Sequence, residues 1–171
     1  MPLPAYERGL TRRPLDTVPS GMRGVEHSTV VPPESVEAVS ALVRSWEFKR
    51  RAGFEVPVGE PVPGAEGVLA KRLLGIRFVE PIRVVWADAR GFGYETRPGH
   101  PIYGEESFLI DEHGVFTARS VSRPATLLWM LMAPAVRLLQ RRTHAKYVRI
   151  VQAAADAALR ALRQAQGPTS G

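Results

Sequence analysis

The chain has 171 residues, no cysteine, 44% hydrophobic and 23% charged residues, and a formal net charge of +6. That length suits one domain, and the composition is that of an ordinary globular chain, neither disordered nor membrane-embedded. The missing cysteines exclude disulfides and thiolate metal sites and fit a reducing compartment. The positive charge is almost all arginine, scattered along the chain with one cluster at Arg137, Arg141, Arg142, Lys146 and Arg149. Without aromatic platforms beside that charge, no specific nucleic-acid partner is expected.

Residues 1–21, with Pro2, Pro4, Pro14 and Pro19 and no sustained periodicity, read as an extended N-terminal arm. They carry no apolar core of the kind a secretory signal requires, so a cytoplasmic location is expected. Val25 to Val31 reads as a first strand, stopped by Pro32-Pro33. Glu34 to Arg51 is an amphipathic helix: Val36, Val39, Leu42, Val43 and Trp46 recur at helical spacing. Lys49, Arg50 and Arg51 crowd its last turn, as the helix dipole favours, and Gly53 ends it.

From Phe54 to Ser122 the pattern changes to strands and turns. Strands are expected at Phe54–Val58, Glu66–Leu74, Pro81–Ala87, Phe92–Arg97, Glu105–Asp111 and Val115–Ser122. Ile76, Phe78 and Glu80 fall between two of them, and Pro98-Gly99-His100-Pro101 is a loop. No crossover helix intervenes, so consecutive strands should pair antiparallel. Ala125 to Arg163 is helical and divided by Pro134. Its expected apolar face runs through Leu128, Leu131, Ala135, Leu138 and Leu139 to Tyr147, Val151 and Leu162. Residues 164–171 read as a flexible tail.

Residues 22–163 thus form a single α+β domain: a curved antiparallel sheet of about six to seven strands wrapped on a long C-terminal helix. That helix is the element long enough to cover one face of the sheet. A sheet curled round a helix encloses a cavity, and cavities of this kind take small ligands.

Several strings carry a family likeness: Arg83-Val84-Val85, Gly91-Phe92-Gly93-Tyr94-Glu95-Thr96, Pro98-Gly99-His100-Pro101, Gly104-Glu105-Glu106-Ser107-Phe108 and Ser122-Arg123-Pro124. Together, over residues 22–147, they resemble the family of domain of unknown function nineteen-ninety. The resemblance implies the helix-grip fold of the START, polyketide-cyclase and Bet v 1-like superfamily, with a ligand cavity by analogy and no established reaction. The chain departs from the family pattern at Glu95 and Arg97, where a small and an aliphatic residue are usual. It also has Val31-Pro32-Pro33-Glu34 where a glycine-rich approach to the first helix is usual.

The expected partner is an apolar small molecule, in a cavity lined by Trp86, Phe92, Tyr94, Phe108, Phe116 and the Leu128–Leu131 turn. Arg83, His100 and Glu106 are its expected polar contacts, and Thr96 and Arg123 complete the candidate ligand-binding set. His100 sits in a stiff loop where its ring can move a proton near neutral pH or tie down the backbone. Glu106 shares a strand face with Phe108 and Ile110, so it should be buried and paired, with Arg83, Arg119 and Arg123 as possible partners. Arg123 can clamp an anion or satisfy strand-end carbonyls. A cyclase- or hydrolase-like enzyme using His100 and Glu106 is the alternative.

Gly91-Phe92-Gly93 lacks the third glycine and the strand-to-helix context of a dinucleotide site, and no phosphate loop is present, so no cofactor is expected. Four dispersed histidines without cysteine predict no metal site. Leu127 to Arg142 can be read as a basic amphipathic helix lying on an anionic membrane. Packing of that helix on the sheet is the reading the fold favours. The apolar run Ala125–Val136 is shorter than the roughly 20 residues needed to span a bilayer.

Overall fold

A computed structural model describes residues 5–73 and 75–166; residues 1–4 of the expected arm and 167–171 of the expected tail lie outside the described residues. The strands are β1 (Arg23–Val30), β2 (Phe54–Glu55), β3 (Glu66–Leu73), β4 (Ile76–Asp88), β5 (Gly91–Thr96), β6 (Ile102–Ile110) and β7 (Val115–Pro124), and the helices are α1 (Val36–Arg44), α2 (Glu47–Arg51), α3 (Leu127–Leu131) and α4 (Ala133–Ala165). Among the described residues they make one seven-stranded sheet ordered β1-β7-β6-β5-β4-β3-β2, with every pairing antiparallel. Each hairpin places sequence neighbours side by side, and β1 closes on β7.

The α1–α2 region departs from one continuous helix. Trp46 takes the left-handed conformation at φ 60°, at a cost of about 1–2 kcal/mol for a residue with a Cβ. Burial of its indole against Phe92, ring centroids 4.3 Å apart, offsets that cost. The resulting bend turns α2 so that Phe48 and Lys49 enter the core. The C-terminal helix breaks at Met132, with Pro134 in the first turn of α4, where a missing N–H costs nothing.

Two other boundaries move. β2 stops at Glu55, before Pro57, because proline lacks the donor a ladder needs. β4 begins at Ile76, so Phe78 and Glu80 belong to a strand and alternate inward with the buried Ile82 and Val84.

The dry core lies between the inner sheet face and α1, α2 and the second half of α4. Trp46, Phe48, Phe92, Phe108, Phe116, Tyr147 and Val151 form its centre. The expected apolar face of the last helix holds at Tyr147 and Val151, but Leu128, Leu131, Leu138, Leu139 and Leu162 are exposed. The first turns of α4 stand over an open cavity above the sheet and are not packed against it.

The arm is docked on the outer face. Gly9 N–H donates to Glu105 Oε2 at 2.7 Å, and Thr11 donates to Oε1 through its amide and its hydroxyl. Ser107 Oγ returns a bond to the Thr11 carbonyl.

Gly104 has φ +151°, and a Cβ there would stand 2.0 Å from the Val121 carbonyl oxygen of β7. Gly104→Ala should therefore push β6 from β7 and lower stability by about 2 kcal/mol or more. Urea unfolding checks this; an unchanged midpoint would contradict so close an approach of the two strands.

Candidate functional site

A cavity of about 370 Å³ lies between the inner sheet face and the α3–α4 turn. Phe78 and Glu80 of β4, Tyr94 and Thr96 of β5, His100 from the β5–β6 loop, and Trp129, Met132 and Leu139 of the helices line it. One end is polar and packed, and the other is apolar and open.

The packed end is built on Lys49, whose side chain is 1% exposed. Its ammonium donates to Tyr94 Oη at 2.8 Å, Tyr147 Oη at 3.0 Å and Glu106 Oε2 at 3.3 Å. Those bonds use all three of its N–H groups. Tyr94 Oη also donates to Glu106 Oε2, and His144 Nε2 meets Oε1 at 2.8 Å. Burial alone would raise the Glu106 carboxyl. The Lys49 charge, the His144 bond and the Tyr94 bond overcome it and hold that carboxyl well below the usual range. Burial depresses Lys49 in turn, opposed by Glu106. Phe108 lies beneath this cluster, its ring centroid 4.4 Å from Lys49 Nζ.

The other polar groups of the cavity are less committed. Ile102 N–H donates to His100 Nδ1 at 3.1 Å, so the neutral ring carries its proton on Nε2. Burial pushes the imidazole down to about 4, which keeps it neutral near pH 7. Nε2 faces Glu80 Oε2 at 3.8 Å, too far for a hydrogen bond. Burial raises the Glu80 carboxyl to about 7, against the pull of Lys49. A buried donor and a partly buried acid, its side chain 24% exposed, thus face each other across a gap that one ligand oxygen can bridge.

Of the expected ligand residues, Tyr94, Thr96, His100 and Glu106 are brought to the cavity. Thr96 Oγ1 is engaged by the Gly104 amide at 3.0 Å. Phe92, Phe108 and Phe116 belong to the dry core below it.

Trp86 lies on the opposite face. A bulge between Val84 and Trp86 shifts the register, so Val84 opposes Tyr94 while Trp86 opposes Gly93. A bulge reverses the faces that alternation alone would assign. Gly93 makes room for the indole, since a Cβ there would meet Trp86 Nε1 at 2.4 Å. Arg83 pairs in register with Glu95 and Glu66, not with Glu106. Arg119 binds Glu26 at 2.6 Å, and Arg123 Nε reaches the Pro124 carbonyl at 3.4 Å, a strand-end role. The partners expected for Glu106 are thus replaced by Lys49, Tyr94 and His144.

The residues that sequence reasoning missed carried signals. Lys49 stands three residues after Trp46 and seven after Leu42, on the apolar stripe of the first helix. His144 stands three before Tyr147 and seven before Val151. Glu80 continues the inward alternation of Ile82 and Val84.

His100 and Glu80 tilt the pH dependence of folding in opposite senses. His100, lowered from 6.5 to about 4, binds its proton more readily when unfolded, so its contribution is lost as pH falls through that window. Glu80, raised from 4.5 to about 7, holds its proton in the folded state, so its contribution is lost as pH rises. Between pH 4.5 and 6.5 the two oppose. In Glu80→Gln, stability should climb with pH across that window by about 1–3 kcal/mol more than in the unsubstituted protein. Chemical denaturation at the two ends of the window checks it, and parallel profiles would count against a raised Glu80.

A model of the family described as "Domain of unknown function (DUF1990)" matches residues 5–150. No curated protein matches the chain in sequence. Among solved structures, ginseng major latex-like protein 151 from Panax ginseng superposes with a TM-score of 0.53 at 12% identity, covering 77% of this chain and 97% of that one. The Zhui aromatase/cyclase from Streptomyces sp. R1128 gives 0.54 at 22% identity, covering 86% and 99%. A protein from Thermus thermophilus gives 0.54 at 14% identity, covering 80% and 98%. At these identities the likeness is one of fold, a curved antiparallel sheet with a long C-terminal helix in the Bet v 1-like manner. With the family match running from the docked arm into α4, the chain belongs to the DUF1990 family.

Proposed function

We propose that this protein binds a small, largely apolar molecule carrying one hydroxyl or carbonyl oxygen, held in the cavity between the sheet and α3–α4. The observation that carries the reading is the unfilled 3.8 Å approach of His100 Nε2 to Glu80. Buried polar groups seek partners, and here the donor and the carboxyl both border the cavity. A ligand hydroxyl accepts from Nε2–H and donates to Glu80, while Phe78, Trp129 and Met132 surround the apolar body. Lys49 and Glu106, saturated by each other and by Tyr94, Tyr147 and His144, give this end its shape and field. Solved structures of the same fold include an aromatase/cyclase, which accords with an apolar cargo.

The pair also supports a second reading, proton transfer on a bound ketone. A carboxyl that titrates at about 7 can take the proton next to the carbonyl, while Nε2–H of the neutral imidazole donates to the ketone oxygen and holds the enolate that forms. Glu80, not Glu106, is then the carboxyl partner of His100.

Displacement of a fluorescent naphthalene sulfonate by 2-naphthol and by naphthalene tests the first reading. The naphthol should bind about tenfold tighter, as one well-made polar contact of about 1.4 kcal/mol requires. His100→Phe and Glu80→Met should each remove that preference while naphthalene binding persists. Equal affinities, or no uptake of either compound, would refute it. Deuterium exchange next to the carbonyl of 2-tetralone tests the second: acceleration lost in Glu80→Met supports proton transfer, and the background rate excludes it.

A further inference from the structure

The cavity mouth carries more exposed apolar surface than folding explains. Every residue of α3, Leu-Leu-Trp-Met-Leu, is apolar and none is buried. Leu127, Leu128 and Leu131 are 73%, 66% and 76% exposed, and Ile76, at the start of β4 across the mouth, is 62% exposed. Phe78 and Trp129 meet edge to face at 6.3 Å and join the two sides. Ile76, Met132 and Leu139 both line the cavity and face solvent, so the apolar lip is continuous with the interior. Apolar patches of this kind on a protein surface mark interaction sites.

The flanking charge identifies the partner. Between Glu112 and Asp156 the chain has no acidic residue. Arg137 and Arg141 are exposed one turn apart on α4, in the same turns as Leu138 and Leu139. Arg72 is exposed on the β3–β4 hairpin beyond Ile76. An apolar wedge with arginines behind it matches a bilayer surface bearing anionic headgroups, to which each basic residue near the surface adds attraction. Among the described residues no helix is long and apolar enough to cross a membrane, so the contact is peripheral.

We infer that α3 and Ile76 at the start of β4 form a lip that inserts into an anionic phospholipid surface and opens the cavity toward it. Docking needs only the lip. Passage of a cargo from the bilayer rests also on the ligand-binding reading above.

Sedimentation with vesicles of phosphatidylcholine, alone or mixed with phosphatidylglycerol, tests the lip. The protein should pellet with the mixed vesicles and at least tenfold less with the neutral ones, and added salt should release it. Leu127→Glu with Leu131→Glu, and separately Arg137→Glu with Arg141→Glu, should each abolish pelleting. Both pairs are exposed, and unchanged far-UV circular dichroism and naphthol binding control for folding. Glu80→Met should lose the naphthol preference yet still pellet, which separates failure of the cavity from failure of the lip. Absence of vesicle binding, or binding that survives the leucine substitutions, would overturn the inference. So would light scattering that shows a dimer dissociated by those substitutions without vesicle binding, since the lip would then be a self-interface.

Discussion

The arrangement depends on one buried ion pair. Lys49 and Glu106 meet where α2, β5, β6 and α4 converge, and the tyrosines and the histidine that complete their hydrogen bonds come from β5 and α4. Two charges taken out of water cost several kcal/mol each unless every donor and acceptor is met, and here the ammonium has all three N–H groups engaged. Such a requirement fixes geometry more tightly than apolar packing, which tolerates small slides. It sets the rotation of α4 over the sheet, because His144 and Tyr147 must both face inward. The bend at Trp46 sets the direction of α2, whose Phe48 and Lys49 are buried. A buried lysine and the seating of the last helix are therefore one solution to one constraint.

That constraint also explains how much of the molecule could be read from its sequence. The strand order and the two helical regions follow from alternation, turn residues and the absence of crossovers, signals that are local along the chain. The inward orientation of Glu106, Tyr94 and Thr96 follows from period-two alternation on unbroken strands. Sequence reading fails where a local rule meets a tertiary exception. Alternation from Val84 puts Trp86 on the inner face, and one inserted residue at a bulge reverses it. The crowd of charges in the last turn of the first helix makes Lys49 look solvated, although its spacing from Leu42 and Trp46 is that of a core position. Glu80 is hidden because Gly75 and Pro81 make its strand look shorter than it is.

The glycines of Gly91-Phe92-Gly93 belong to the same account. A Cβ at Gly91 would stand 2.1 Å from the Phe108 carbonyl, and one at Gly93 would strike Trp86. Their smallness serves strand packing on one face and an indole on the outer one, while Phe92 between them enters the core. The motif's two glycines are needed for the close approach of a neighbouring strand and of one indole.

The cavity then has an order imposed by its surroundings. At its packed end, charge is neutralised and every strong donor of Lys49 is spent, so a ligand meets a fixed field there and not a free cation. Beside it, His100 is neutral near pH 7 while Glu80 titrates there, at about 7, and the two stand far enough apart to leave hydrogen-bonding capacity unspent. Toward the mouth the lining becomes largely apolar, with Lys71 beside Phe78, and leads onto the exposed leucines of α3. A molecule with one oxygen at one end and rings at the other can satisfy the buried pair only by entering with its oxygen first. Reversed, it would leave Nε2–H and the carboxyl without the ligand oxygen and forgo that contact. On the ligand-binding reading, the orientation of a cargo would follow from where the polar groups are saturated, and the same gradient would place its apolar end at the lip.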